Sequence, residues 1–414
     1  MQALFDAVNA ICGKIQVISD LFWEFPTNFG WYAAIPILGN FSLAIILLVG
    51  TGIFLTFRFR FVQVRKFKYG LKVLLHSKAA TKTGISALAA FLLSTAMRVG
   101  PGNILGVTGA ISIGGPGALF WMWLSAFFGM STAFAESTLS QIFKEKRDGQ
   151  YVGGLPFYGR RLLNNAAWAG VALSVLYIVY AFLCFPAQGF NTISAVGAIA
   201  NEITGTTIAT NSMLYWISFV VLILIAALIS FGGIKKVTKV TDLLVPVMAV
   251  IYVLTVIALV VCNFTRIPWF FQAVFGQAFS PDAVFGGAFG TVLSQGIKRG
   301  LMSNEAGQGT ITMPAAAADA NHPCDQGCVQ AIGVFLDTIV ICTLTGFVVI
   351  MGRMWTTDRG AEWFDMGKLD KFLASCGELT GQSGAYQIVT FLVSICFGPV
   401  SYTHLRAHET VLDL

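Results

Sequence analysis

Two apolar stretches of the sequence are interrupted by glycine, proline and side chains that can hydrogen-bond or carry charge. One reads STAMRVGPGNILGVTGAISIGGPG, Ser94 to Gly117, and the other GTVLSQGIKRGLMSNEAGQGTITMP, Gly290 to Pro314. Glycine and proline destabilise a continuous helix. Unwound backbone at membrane depth survives only where protein or a water-lined cavity satisfies its N–H and C=O groups. The chemistry open to such a break is binding. A half-helix N-terminus offers N–H groups and partial positive charge to an anion, and freed carbonyls hold cations. Paired breaks in two halves of a chain are a sequence pointer to a binding site of this kind. Gly100-Pro101-Gly102-Asn103 favours binding, because Asn103 brings an amide into an apolar interior. Gly114, Gly115 and Gly117 suit close helix packing better.

Charges inside the apolar runs are the next candidates, since intramembrane ionisable groups are functional by default. Asp337 falls near the middle of its run and is the stronger candidate for a buried ion pair or proton relay. Glu136 comes late in its run, where it caps a helix or faces the inner interface. Lys298 and Arg299 are expected to snorkel towards the inner surface. Phe120-Trp121-Met122-Trp123 reads as interface anchoring and packing. The eight cysteines are scattered; only Cys324 and Cys328 are close, and no second pair completes a zinc site. No H-E-x-x-H motif occurs, and His76 and His322 lie in loops. No metal site, cofactor or covalent catalysis is expected, nor any nucleic-acid partner.

The elements that position these residues must be membrane helices. The 414 residues are 56% hydrophobic and 11% charged, whereas an ordinary soluble domain is about 25% charged. A bilayer core takes about 20 helical residues to cross. Apolar stretches fall at 33–57, 83–113, 117–140, 169–198, 212–231, 237–262, 283–302, 326–352 and 386–400. The runs are too long, and alternate too poorly, for barrel strands. Residues 58–82 carry eight basic groups and no acidic one, so the positive-inside rule places them in the cytoplasm. Loops 144–161 (five basic residues) and 235–239 fall inside, and 199–211 and 263–282 outside. The alternation puts the N-terminus of this multi-pass cell-membrane protein outside.

The two broken runs begin near 83 and 283, each opening a set of helices. Five crossings in the first set invert the second relative to it. The expected fold is all-α: five-plus-five inverted repeats after one extra N-terminal span, with the second repeat truncated. The expected divisions are an amphipathic surface segment at 1–30, the extra helix and basic loop at 31–82, the first repeat at 83–265 and the second at 266–400. Residues 401–414, SYTHLRAHETVLDL, turn polar after about 15 apolar residues. They are expected to be a non-native tail.

GGPGALFWMWLSAFFG, Gly114 to Gly129, resembles the signature of the alanine/glycine:cation symporter family, part of the amino acid–polyamine–cation superfamily. LLVGTGIFLTFRFRFVQVRKF at 47–67, GPGNILGVTGA at 100–110, RGLMSNEAGQGT at 299–310 and GVFLDTIVICTLTG at 333–346 support it. The resemblance covers about residues 30–350 and implies a leucine-transporter-type fold. It also implies inward transport of a small amino acid, chiefly alanine or glycine, with sodium.

The resemblance further implies that Gly100, Gly102 and Asn103 meet the substrate carboxylate. Gln188 would face the substrate, and Gln295 and Gly296, at the break of the seventh span, would line the opposite wall. Ser303, Asn304 and Glu305 match a structural or gating motif near the inner end. The family's closing tryptophan has no counterpart before Val400. Arg98 keeps three readings: a fixed cation standing in for sodium, a partner of a substrate carboxylate or of Glu136 or Asp337, or a snorkelling side chain at a cavity mouth. The first of these supports cation-independent exchange as the alternative to symport. A channel would need a continuous polar lining. A membrane enzyme lacks a motif.

Overall fold

The computed structural model describes residues 21, 23–35, 38–77, 84–147, 149–204, 212–230, 233–279, 288–352 and 360–381. The ninth apolar run, the tail at 401–414 and most of the 1–30 segment lie outside them. The chain forms α1 (Leu43–Arg58), α2 (Phe67–Leu75), α3 (Ala87–Arg98), α4 (Pro101–Gly114) and α5 (Ala118–Ile142). A hairpin follows, β1 (Glu145–Arg147) and β2 (Gln150–Val152), then α6 (Leu155–Leu162), α7 (Ala167–Thr204), α8 (Met213–Ser230) and α9 (Gly233–Cys262). The last described elements are α10 (Ile267–Ala278), α11 (Ala288–Asn304), α12 (Thr312–Ala317), α13 (Pro323–Val334), a π-helical segment Phe335–Ile341, α14 (Cys342–Met351) and α15 (Lys368–Thr380).

The helices follow the expected apolar runs closely. Helix α5, and the α13-to-α14 unit Pro323–Met351, are each long and apolar enough to cross a membrane. Two bent pairs reach that length and apolarity together: α3 with α4, at 42°, and the end of α9 with α10, at 79°. Serine caps begin two of the helices, Ser42 accepting from the Ile45 N–H and Ser86 from the Ala89 N–H. The hairpin in loop 144–161 corrects the expectation of a strand-free chain. Its turn holds Gly149 at φ 80°, which suits glycine.

Polarity is distributed as lipid requires. Val247, Val250, Leu254, Ile257 and Val261 of α9 are exposed at helical spacing, while Arg98, Asn103, Glu136, Ser303, Glu305 and Asp337 are buried. An apolar exterior around a polar interior is that of an integral membrane protein.

Close packing explains several glycines. A Cβ on Gly296 would stand 2.3 Å from the Ala118 carbonyl oxygen on α5, whereas one on Gly50 meets nothing within 4 Å. Gly296→Val is expected to cost about 2–3 kcal/mol and lower the melting temperature clearly, because main chain cannot yield. Gly50→Ala should be neutral or slightly stabilising. Equal melting of the two variants would refute this packing.

Helix α2 is tied to the start of α13. Tyr69 donates from its hydroxyl to Asp325 Oδ1 at 2.7 Å, and Asp325 Oδ2 accepts the His322 N–H at 3.1 Å. The hydrogen bond to Asp325, followed by burial, pushes the Tyr69 phenol up to about 12. A raised folded-state value favours the protonated form. The stability it adds is therefore complete below about pH 10 and fades as pH climbs towards about 12. In phenolate-absorbance titrations compared with Tyr69→Phe, Asp325→Asn should return this tyrosine to the ordinary range. An unmoved titration would break the assignment.

Candidate functional site

The first break opens where α3 ends. Val99 (φ −80°, ψ 102°) and Gly100 (φ −144°, ψ −177°) are extended. Pro101 then starts α4 without an N–H to lose. Asn103 holds the turn: its Oδ1 accepts the Gly100 N–H at 3.0 Å.

The second break departs from expectation. Gln295 and Gly296 lie within the unbroken helix α11, so neither is at a break. Gly296 packs on Ala118, and the Gln295 Cβ faces Gly114 at the far end of α4 from Gly100. The chain unwinds after Asn304 instead. Glu305 (φ 55°), Gly307 (φ 87°) and Gly309 (φ 79°) all take left-handed conformations. Ser303, Asn304 and Glu305 thus form the rim of the break itself. Asn304 Oδ1 accepts the Ala306 N–H at 3.0 Å, and Thr310 donates to Glu305 at 2.7 Å.

Glu136 reaches this loop from α5. Its two carboxylate oxygens accept the N–H groups of Gly307 and Gly309 at 3.1 and 3.2 Å. It therefore anchors unwound backbone, a role beyond the helix cap expected from its position.

Asp337 joins the two breaks. It is the fifteenth residue of the 29-residue unit Pro323–Met351, equally far from both ends, and sits in the π-helical segment. Such segments are frequent at functional sites. Its Oδ1 accepts from Asn103 Nδ2 at 2.5 Å, and its Oδ2 from Ser303 at 2.7 Å and Thr338 at 2.8 Å. Cys342 Sγ stands 3.1 Å from the Ser303 hydroxyl and 3.5 Å from Asn103 Nδ2. Asn103, Ser303, Asp337, Thr338 and Cys342 form one buried cluster.

Two guanidiniums flank it. Arg98 lies against Gly333 of α13. Among the described residues it forms no ion pair, so pairing with Glu136 or Asp337, one of its three readings, is not made. Those two carboxylates and Glu305 act on it through space. Arg299 does not snorkel to the inner surface. It lies over the glycine face of α4, where a Cβ on Gly106 would stand 2.2 Å from its guanidinium carbon and one on Gly102 3.1 Å from Nη2. Lys298 turns to Glu24, at 3.9 Å. Gln188 is on α7, and its side chain is outside the described residues.

Thr338, Cys342, Thr310 and Arg299 were not expected at the site. Glycines 102, 106 and 109, spaced four and three apart on α4, were the available signal for a groove holding long side chains. Among the described residues no group of three His, Cys, Asp or Glu side chains converges as a metal site would.

The fold resembles a solved structure, MhsT in complex with L-phenylalanine, with a TM-score of 0.58 at 15% identity over 80% of this chain and 74% of that one. The sequence profile of the sodium:alanine symporter family matches residues 32–410. The amino-acid carrier protein AlsT of Bacillus subtilis is 39% identical over 74% of this chain and 63% of its own length. The sodium/alanine symporter AgcS of Methanococcus maripaludis is 38% identical over 75% of this chain and 68% of its own. GlnT of Bacillus subtilis, described as a probable sodium/glutamine symporter, is 39% identical over 76% of this chain and 64% of its own. The chain thus spans less than two thirds of AlsT and of GlnT. The relatives are described as carriers and symporters and not as enzymes, and the family profile runs through both breaks and the cluster between them: the chain belongs to the sodium:alanine symporter family.

Proposed function

We propose that the protein carries a small neutral amino acid, alanine or glycine, together with sodium, by alternating access around the Asn103–Ser303–Asp337 cluster. One observation carries this reading. Arg98 faces Glu136, Glu305 and Asp337, and Arg299 faces Asp337; Arg98 and the three carboxylates are buried, and Arg299 is half-buried. With every group ionised, one negative charge remains, and burial makes an uncompensated charge costly. A monovalent cation beside Asp337 cancels it. The hydroxyl and carboxylate oxygens of Ser303, Thr338 and Asp337 are hard donors suited to such an ion.

In this reading the start of α4 at Gly100, Gly102 and Asn103 receives the substrate carboxylate, since a helix N-terminus favours an anion. Gln188 faces the substrate. Cation binding at Asp337 ties α4, α11 and the π segment together and favours the loaded state. Spans 83–265 and 266–400 act as inverted repeats that rock about this centre, preceded by 31–82. The N-terminus lies outside.

The test is uptake of labelled alanine, glycine and glutamine into proteoliposomes with and without an inward sodium gradient. Saturable, sodium-driven alanine or glycine uptake supports the reading, and sodium-insensitive flux removes it. A second reading, cation-independent exchange, is favoured by the unpaired Arg98 guanidinium acting as a fixed cation. Counterflow at fixed pH that persists undiminished without sodium selects it.

A further inference from the structure

Six basic side chains crowd into residues 58–72: Arg58, Arg60, Arg65, Lys66, Lys68 and Lys72. All are exposed, and among the described residues none of them forms an ion pair. No acidic residue stands in this stretch. Asp325, the carboxylate that reaches α2, is taken by the Tyr69 hydroxyl. Loop 144–161 is the contrast: there Glu145 lies 2.6 Å from Arg160, 3.3 Å from Arg147 and 3.9 Å from Arg161. Like charges held close together repel unless an anion offsets them.

The local fold fixes where these groups stand. Arg60 (φ 52°) and Phe61 (φ 56°) are both left-handed, which ends the apolar α1 and turns the chain aside. One helical turn, Val62–Arg65, and then α2 follow. Helix α2 is docked on α13. A Cβ on Gly70 would stand 2.8 Å from Ile332 Cδ1 and 3.0 Å from the Cys328 carbonyl oxygen, and Leu71 and Leu74 pack with Phe91, Val329 and Ile332. Lys68 and Lys72, four apart on α2, lie side by side on its exposed face.

Apolar side chains adjoin the charges. Phe54 and Phe57 of α1, Phe61 at the turn and Val64 after it are exposed, and the rings of Phe57 and Phe61 meet edge to face with centroids 5.4 Å apart. The surface is therefore an apolar strip along α1 with a cationic end. An acidic peptide or a free anion would use the charges and leave the phenylalanines uncovered. A phospholipid with a net negative headgroup matches both parts, its acyl chains along the strip and its phosphate at the cations.

We propose that Arg60, Arg65, Lys68 and Lys72, with Phe57 and Phe61, form a binding site for an acidic phospholipid. The site lies in the leaflet at the α2 end of α1, the side that the positive-inside rule makes cytoplasmic. The headgroup neutralises an arm docked on α13, the helix that leads into the π segment of Asp337. The proposal depends on no transported substrate or ion, so its test reads bound lipid and not uptake.

The full chain, delipidated in nonionic detergent, is titrated with dioleoylphosphatidylglycerol or dioleoylphosphatidylcholine, and bound lipid is counted by native mass spectrometry. The acidic lipid is expected to bind with an apparent Kd at least about tenfold below that of the choline lipid. Lys68→Gln/Lys72→Gln should raise the Kd of the acidic lipid at least about threefold, and adding Arg60→Gln and Arg65→Gln should raise it at least about tenfold, with the choline lipid unaffected. Arg147→Gln/Arg161→Gln removes as many charges as the lysine pair, but from beside Glu145, and should change little. Equal affinity for the two lipids overturns the proposal, because the charge then selects nothing. Equal losses in the lysine and arginine pairs overturn it too, because the attraction is then a diffuse one to any basic loop. Displacement of the acidic lipid by an equal concentration of glycerol phosphate would make a free anion the occupant, and likewise overturns it.

Discussion

Under the proposed function, Asp337→Asn is expected to weaken sodium-driven uptake about 100-fold, equivalent to about 3 kcal/mol, while membrane insertion is retained. The carboxylate accepts three side-chain hydrogen bonds, two of them from the rims of the two breaks. Asparagine keeps the shape but loses the charge and turns one acceptor into a donor. That donor then faces the donors of Asn103 or of the hydroxyls. With Asp337 neutral, two guanidiniums balance two carboxylates, and the cluster no longer calls for a cation. The loss should therefore appear chiefly as a higher sodium concentration for half-maximal uptake. Sodium titration of alanine uptake in proteoliposomes reads it directly. An unchanged sodium midpoint in Asp337→Asn would remove Asp337 from the coupling role.

The first break was legible because proline and two glycines in four residues leave a helix few ways to continue. The second was misplaced for a physical reason. Glycine serves close packing as well as unwinding, and Gly296 lets α11 lie on Ala118, which no local pattern distinguishes from a break. The true break carries Gly307 and Gly309 two apart, a spacing that helical packing faces do not use. Asp337 could be singled out as a charge at mid-span, but its partner Asn103 is 234 residues away in sequence. Such a contact is decided by helix packing. Pairing is one of three readings that the charge of Arg98 allows, yet its guanidinium lies on Gly333 and its nitrogens are unpaired among the described residues. The hairpin had a local signal in Asp148-Gly149. The long apolar runs outweigh it in the pattern.

Glu136→Ala is the second large effect expected, and it separates anchoring of the break from binding at the cluster. Glu136 lies outside the Asp337 cluster but takes both the Gly307 and Gly309 N–H groups on one carboxylate. Alanine leaves two donors of unwound backbone without acceptors in a low-dielectric interior, each costing about 1–3 kcal/mol. Amide exchange over residues 305–311 should then accelerate about 100-fold, and uptake should fall towards background. Glu136→Gln retains one carbonyl acceptor but offers an NH2 to the second N–H, so it should lie between the parent and alanine in both measurements. A charge role alone predicts a different order: glutamine and alanine would be equally inactive, and amide protection would be unchanged. Protection unaltered in Glu136→Ala would show that the loop is held by something other than this carboxylate.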